Sequence, residues 1–249
     1  MPTYRDDVIV LRTHMLGEAD KILTLLGKQR GKIRAVAKGI RKTTSRFGAR
    51  LEPFNQVDAQ FYEGKSLDIV QQAESLSSHS DVIGKDYAKY TSAMVMVEAA
   101  DKLTDHDYQQ AHYMLLLGGL RSLAAGEHEP SLIVDSYLLR ALALSGWSPS
   151  LEVCAVTGEP GEHSAFSVPL GGVVSDSVAP PGSPRLRDNS KALLSALLGG
   201  DWPSAEASDE LTRLQVSGLI AAYTQYHLER HVKSFVHLER TPRTAVSSL

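Results

Sequence analysis

The sequence predicts an α+β chain, with a small five-stranded barrel at the N-terminus and an all-α region after it. Two observations carry this. Up to about residue 76, short apolar runs with period-two alternation are separated by glycine-containing breakers; after residue 80, apolar residues recur at i, i+3 and i+4. A third observation bears on function. Between Lys21 and Arg50 there are ten Lys/Arg residues and no Asp or Glu. With a net charge of −3 for the whole chain, the remaining residues carry −13 against this segment's +10. Such a concentration reads as an electrostatic footprint for a polyanion, most simply a nucleic-acid backbone. A merely solvated basic face is ordinarily interspersed with acids that soften self-repulsion.

The strands follow in order. Val8-Ile9-Val10-Leu11 is a short β-branched run, closed by the turn Leu16-Gly17-Glu18. Lys21 to Leu26 forms the second strand, ending at the breaker between Gly27 and Gly31. Ile33, Ala35 and Ala37 alternate with Lys32, Arg34 and Lys38, giving one apolar and one basic face that Val36 interrupts. Val57, Ala59 and Phe61 alternate likewise, and Glu63-Gly64-Lys65 turns the chain into a fifth strand, Leu67 to Gln72. Five short strands in roughly 70 residues make a small barrel, most often an OB-fold, although periodicity leaves an SH3-like barrel open.

The helices follow. Tyr87, Tyr90, Thr91, Met94, Val97 and Glu98 mark a helix running to Leu103. Gln109 to Ala125 is a second, stopped by Gly126, and Glu129-Pro130-Ser131 opens a third that ends at Gly146-Trp147. Residues 151–184 are rich in Gly, Pro, Ser and Val and read as an irregular insertion. A short helix over Lys191–Leu198 follows, then a last one over Ser208–Leu238 with Leu211, Leu214, Leu219, Ala222, Tyr223 and Tyr226 on one side. The tail from Thr241 reads as frayed. The expected division is a nucleic-acid-binding domain over residues 1–78 and a helical domain over 79–249, with 151–184 as a small loop subdomain.

Composition narrows the class. With 43% hydrophobic and 22% charged residues the chain reads as globular and soluble. No segment approaches the ~20 apolar residues of a bilayer span, and the first residues lack a secretory h-region, so a cytoplasmic protein is expected. The single cysteine, Cys154, excludes an internal disulfide and stands without an obvious partner base. A phosphate-binding Gly-rich loop with Lys-Ser/Thr is missing, as is a Gly-x-Ser-x-Gly elbow. The histidines are scattered. His227 and His231 have metal-compatible spacing, but Leu228 follows His227 where a zinc peptidase has Glu, and Glu229 and Arg230 suggest an exposed face. Asp101, Asp105 and Asp107 lack the glycine and glutamate of a calcium loop.

The densest chemistry lies from Arg34 to Arg50. Arg34, Lys38, Arg41, Lys42, Arg46 and Arg50 are expected to track phosphates, and Phe47 or Tyr4 to offer a base-stacking ring, with plugging of the barrel end as Phe47's other reading. Thr43, Thr44 and Ser45 are hydroxyl donors for phosphate or simply good loop formers.

Several segments resemble one family, the RecO family of bacterial DNA repair proteins in its actinobacterial form. They are Leu16-Gly17-Glu18-Ala19-Asp20, Gly31 through Gly39, Ser45-Arg46-Phe47-Gly48, Leu51-Glu52-Pro53-Phe54 and Leu67 through Gln71. Leu138 through Leu142, Gly146-Trp147 and Gln225 through Glu229 extend the resemblance to the helical part. It implies an N-terminal OB-fold, a central helical domain and no enzymatic turnover. It also implies a mediator of recombination that binds single- and double-stranded DNA and anneals strands coated with single-strand-binding protein. With RecR, such a mediator promotes loading of the RecA recombinase. Binding of the acidic, phenylalanine-ended tail of single-strand-binding protein is implied for the helical part. Arg121, beside Leu117 and Leu120, and Arg140, beside Leu138, Leu142 and Trp147, are the candidate partners for its carboxylate.

Many relatives carry zinc on two Cys-x-x-Cys pairs. Here Cys154 stands at the first ligand position, with Thr157, Ser175 and Val178 at the other three and His163 as the only nearby imidazole. No zinc and no other cofactor is expected. Two other classes stay open: an OB-fold RNA-binding or regulatory adaptor, because nothing here tests for a 2′-hydroxyl, and an enzyme using acids near Glu98 and Asp101.

Overall fold

A computed structural model describes residues 2–104, 110–228 and 232–238. Asp105, Asp107, Glu229, Arg230, His231 and the tail from Thr241 lie outside the described residues. The chain forms two compact units that divide after Glu127.

The first unit opens with a closed barrel of order β1-β2-β3-β5-β4, the OB-type arrangement expected. Its strands are β1 (Thr3–Leu16), β2 (Asp20–Gly27), β3 (Gly31–Ala37), β4 (Gln56–Tyr62) and β5 (Asp68–Ser77). β1 is longer than its apolar run suggested because its polar first half pairs with β4, Thr3 opposite Tyr62 through Ile9 opposite Gln56. From Val8 onward it also pairs with β2, Val8 opposite Gly27 through Leu16 opposite Asp20, with an irregularity between Val10 and Arg12. That double pairing is how one strand serves two sides of a small barrel.

Val8, Val10, Leu23, Leu25, Ile33, Ala35, Val57, Ala59, Phe61 and Val70 fill the barrel. Ile9, Leu11 and Leu26 are buried as well, without joining that cluster. The helix Tyr87–Leu103 packs on β1 and β2, so these strands are covered on both faces and read as continuous apolar runs.

Helices α1 (Ser80–Ile83), α2 (Tyr87–Leu103) and α3 (Gln110–Ala125) complete the unit. Asp86 caps α2 by accepting from the Lys89 N–H at 3.0 Å. Polar contacts fix the helices to the barrel. Asn55 Oδ1 accepts from the Ser80 N–H at 2.9 Å, and Gln56 Nε2 donates to the Tyr113 hydroxyl at 2.9 Å. Lys32 and Arg12 both reach the Asp101 carboxylate, at 2.6 and 3.1 Å.

The second unit contains α4 (Pro130–Leu144), the two-stranded β6 (Ala165–Ser167) and β7 (Gly172–Val174), α5 (Ser190–Gly199), α6 (Trp202–Glu206) and α7 (Glu210–Leu228). Pro130 stands in the first turn of α4, where its missing N–H costs nothing. Every residue of α4 from Leu132 to Leu139 is buried, as suits a central helix contacted by both α5 and α7.

The last helix departs from expectation. Among the described residues α7 spans Glu210–Leu228, and Lys233–His237, expected to continue it, forms a 3-10 turn entered through an extended Val232. Val232, Phe235 and Val236 are weak helix formers, which favours a break there. Leu211, Leu214, Ala222 and Tyr226 are exposed, while Val216, Leu219, Ile220 and Tyr223 face the core. The helix carries two apolar stripes, and the sequence reading merged them.

Candidate nucleic-acid interface

The basic loop joins β3 to β4 and is built from the inside outwards. Three apolar side chains, Ile40, Phe47 and Leu51, insert into the barrel cluster and anchor it. Phe47 is 1% exposed. Its N–H donates to Ser45 Oγ at 3.2 Å, and the following Gly48 adopts a φ of 52°, which starts the 3-10 turn Gly48–Leu51. Phe47 is therefore a barrel plug and not a stacking ring, a correction to its place among the DNA-contacting residues. Tyr4 is also engaged. One face stacks on Phe61 with centroids 5.1 Å apart, the Arg30 guanidinium lies 3.8 Å from its centroid, and its hydroxyl donates to Asp68. Burial together with the Asp68 carboxylate pushes that phenol well above its usual value.

A second set of contacts staples the loop to the β1–β2 turn. The Gly39 N–H donates to Asp20 Oδ1 at 2.7 Å, the Arg41 N–H to the Ala19 carbonyl at 3.0 Å, and Arg41 Nη1 to the Gly17 carbonyl at 3.4 Å. Within the loop, Lys42 N–H reaches the Gly39 carbonyl and Ser45 N–H the Lys42 carbonyl, at 3.1 and 2.9 Å. Sequence reasoning used Asp20 as part of a family signature and missed this anchoring role. An acid just past a turn, with a glycine just beyond the end of the next strand, is the signal that could have revealed it.

The ten cations separate into two groups. Lys21 pairs with Glu52 at 2.8 Å, Lys28 with Asp7 at 3.8 Å and Lys32 with Asp101 at 2.6 Å, while Arg30 covers Tyr4. The other six are Arg34, Lys38, Arg41, Lys42, Arg46 and Arg50. All are exposed, and none makes an ion pair with a carboxylate among the described residues. Arg50 curls onto the loop itself, donating through Nη1 to the Arg46 carbonyl at 2.9 Å. Arg46 lies 5.0 Å from the Phe47 ring centroid. A loop anchored by buried side chains and carrying unneutralised cations suits phosphate capture.

Arg121 and Arg140 are both exposed, the first in α3 and the second in α4, and they belong to different compact units. Leu117, Leu120, Leu138 and Leu142 are buried core, so they line no open slot beside these arginines; Trp147 is partly exposed.

The insertion keeps the outline of a metal knuckle without its ligands. Gly158 N–H closes one turn on the Cys154 carbonyl at 2.8 Å, and Val178 N–H closes the other on the Ser175 carbonyl at 3.1 Å. Between them, Cys154 packs with Ala165 and Val174, and Val178 joins this cluster from the side. The Ser175 N–H donates to Cys154 Sγ at 3.4 Å. The Thr157 hydroxyl and N–H, then the Ser175 N–H, pull the thiol down to about 6, against its burial. One thiol facing valine and hydroxyls does not fit tetrahedral zinc, and no group of three or more His, Cys, Asp or Glu suited to a metal occurs among the described residues. Protein purified without added zinc is expected to contain well under one equivalent by elemental analysis. Chelator should leave Tm unaltered; stoichiometric zinc retained through dialysis would reverse this assignment.

Comparison with known proteins agrees with this architecture. The family model "Recombination protein O N terminal" matches residues 1–79, and "Recombination protein O C terminal" matches residues 84–235. The chain is 50% identical to the DNA repair protein RecO of Thermobifida fusca over 242 residues, covering 96% of this chain and all of that protein. It is 49% identical to the RecO of a Nocardioides species, covering 95% and 99% of the two chains. It is 48% identical to that of Cutibacterium acnes, covering 96% and 100%. A barrel of OB type, a helical region behind it and full-length similarity of this order lead to one conclusion: the chain belongs to the RecO family of DNA repair proteins.

Proposed function

We propose that this chain is a recombination mediator that binds single- and double-stranded DNA through its basic loop. In this reading it anneals complementary strands coated with single-strand-binding protein and, together with RecR, promotes RecA loading, without catalytic turnover. The observation that supports it is the set of six exposed cations without carboxylate partners among the described residues, Arg34 on β3 and the other five on the loop pinned at Ile40, Phe47 and Leu51. Annealing requires two phosphate backbones to approach, and unpaired cations lower that repulsion without selecting sequence. The DNA contacts are assigned to residues 1–78 and the protein contacts to residues 79–249. Among the described residues no helix is long and apolar enough to cross a membrane, which suits a place beside the nucleoid in the cytoplasm.

The test is an annealing assay on complementary strands already coated with their single-strand-binding protein. Acceleration over the coated strands alone is the expected result, and a rate equal to that control removes the mediator reading. Partner recruitment is tested separately. Arg121→Ala and Arg140→Ala are each titrated with a tail peptide by fluorescence anisotropy: the variant that has lost the carboxylate's partner should bind about 1.5–3 kcal/mol more weakly, roughly tenfold to a hundredfold. If both variants bind like the parent, the carboxylate is held elsewhere.

A further inference from the structure

β1 ends, at its turn into β2, on two large apolar side chains open to solvent, one on each face of the ribbon because Met15 and Leu16 are consecutive and still paired with Lys21 and Asp20. Met15 is 73% exposed and Leu16 is 39% exposed. The stapling contacts through Gly17, Ala19 and Asp20 fix this turn to the basic loop, so the apolar pair is held beside Lys38, Arg41 and Lys42. Exposed apolar groups set among cations that lack carboxylates match an occupant that is anionic outside and apolar inside. Stacked nucleic-acid bases, edged by phosphates, have that character.

We propose that Met15 and Leu16 form a wedge that enters the base stack of double-stranded DNA while the neighbouring cations hold its phosphates. This rests on the reading of the basic loop as a DNA-binding element. Apolar side chains inserted at a base step unstack it partially and bend the duplex, and the unstacking cost is offset by contacts the bend permits. The unbranched thioether of Met15 adapts to ring faces of varied shape, so the wedge needs no sequence. Glu18, exposed on the same turn, repels phosphate. That repulsion directs the backbone to Arg41 and Lys42 and leaves the tip to the bases. A wedge of this kind loosens one step of a duplex, a useful property where strands are being brought into register.

The experiment uses the full chain and a short duplex with 2-aminopurine at its centre, whose emission rises when its neighbours unstack. The parent should raise the emission on binding. The double variant Met15→Ser/Leu16→Ser should bind within roughly threefold of the parent affinity and give no rise. The variant K38E/R41E/K42E should show neither binding nor a rise at the same concentration, which separates loss of the wedge from loss of DNA binding. A parent that binds the duplex without a rise overturns the wedge and leaves the phosphate contacts standing. A double variant that still raises the emission overturns it equally. If the parent does not bind the duplex at all, the DNA reading and the wedge fall together.

Discussion

Replacing Lys38, Arg41 and Lys42 together with glutamate is expected to lower DNA affinity by about two to three orders of magnitude, to the same extent for every sequence. The parent's log affinity for single strands should fall with log salt at a slope of about −3 to −4, as four to six phosphate contacts require. In the variant the slope should fall towards that of the three remaining cations, Arg34, Arg46 and Arg50. The fold should survive, because all three substituted side chains are exposed and, among the described residues, only that of Arg41 makes a hydrogen bond, to the Gly17 carbonyl. A filter-binding or anisotropy titration at several salt concentrations decides the matter. A parent slope near zero, or unchanged affinity in the variant, removes the loop from the interface.

Phe47→Ala should cost about 3–5 kcal/mol of stability, since it empties a ring-sized space at the barrel end. Phe47→Leu should cost less, about 1–2 kcal/mol, and the folded protein should bind DNA with the parent's affinity. Calorimetry and DNA titration on the same samples separate the two roles. Weakened binding by a stably folded Phe47→Leu protein would return the ring to the DNA contacts.

The barrel was legible because its strands announce themselves locally. Alternation at Ile33, Ala35 and Ala37, and at Val57, Ala59 and Phe61, needs no tertiary information, and glycine-containing breakers mark the ends. The side to which Phe47 turns was not legible. An aromatic beside a glycine fits both stacking and plugging, and the outcome depends on the Phe47 N–H bond to Ser45, the left-handed Gly48 and the shared cluster with Ile40 and Leu51. The charge cluster was legible as a whole but not in its parts. Lys21, Lys28 and Lys32 find acids on Glu52, Asp7 and Asp101, and only the closed barrel and its covering helix bring those positions together. On α7, Leu211 and Leu214 kept helical spacing with Leu219 while belonging to another face. A helix with two apolar stripes gives periodicity one answer too few.

The barrel closes between β3 and β5 through a parallel pairing of only Ala35 with Asp68 and Val36 with Ile69, whereas β2 and β3 stay in register from Lys21 through Gly27. Short ladders open before long ones, so this seam is where the unit should breathe first, with amide hydrogens exchanging sooner there than along β2. Lys38 and the basic loop begin two residues beyond Val36. The loop proposed to meet DNA thus hangs from the least fastened join of the barrel. A bound strand gripping the loop would slow exchange at Val36 and Ile69 more than anywhere else in the barrel, a record of occupancy written in time instead of distance.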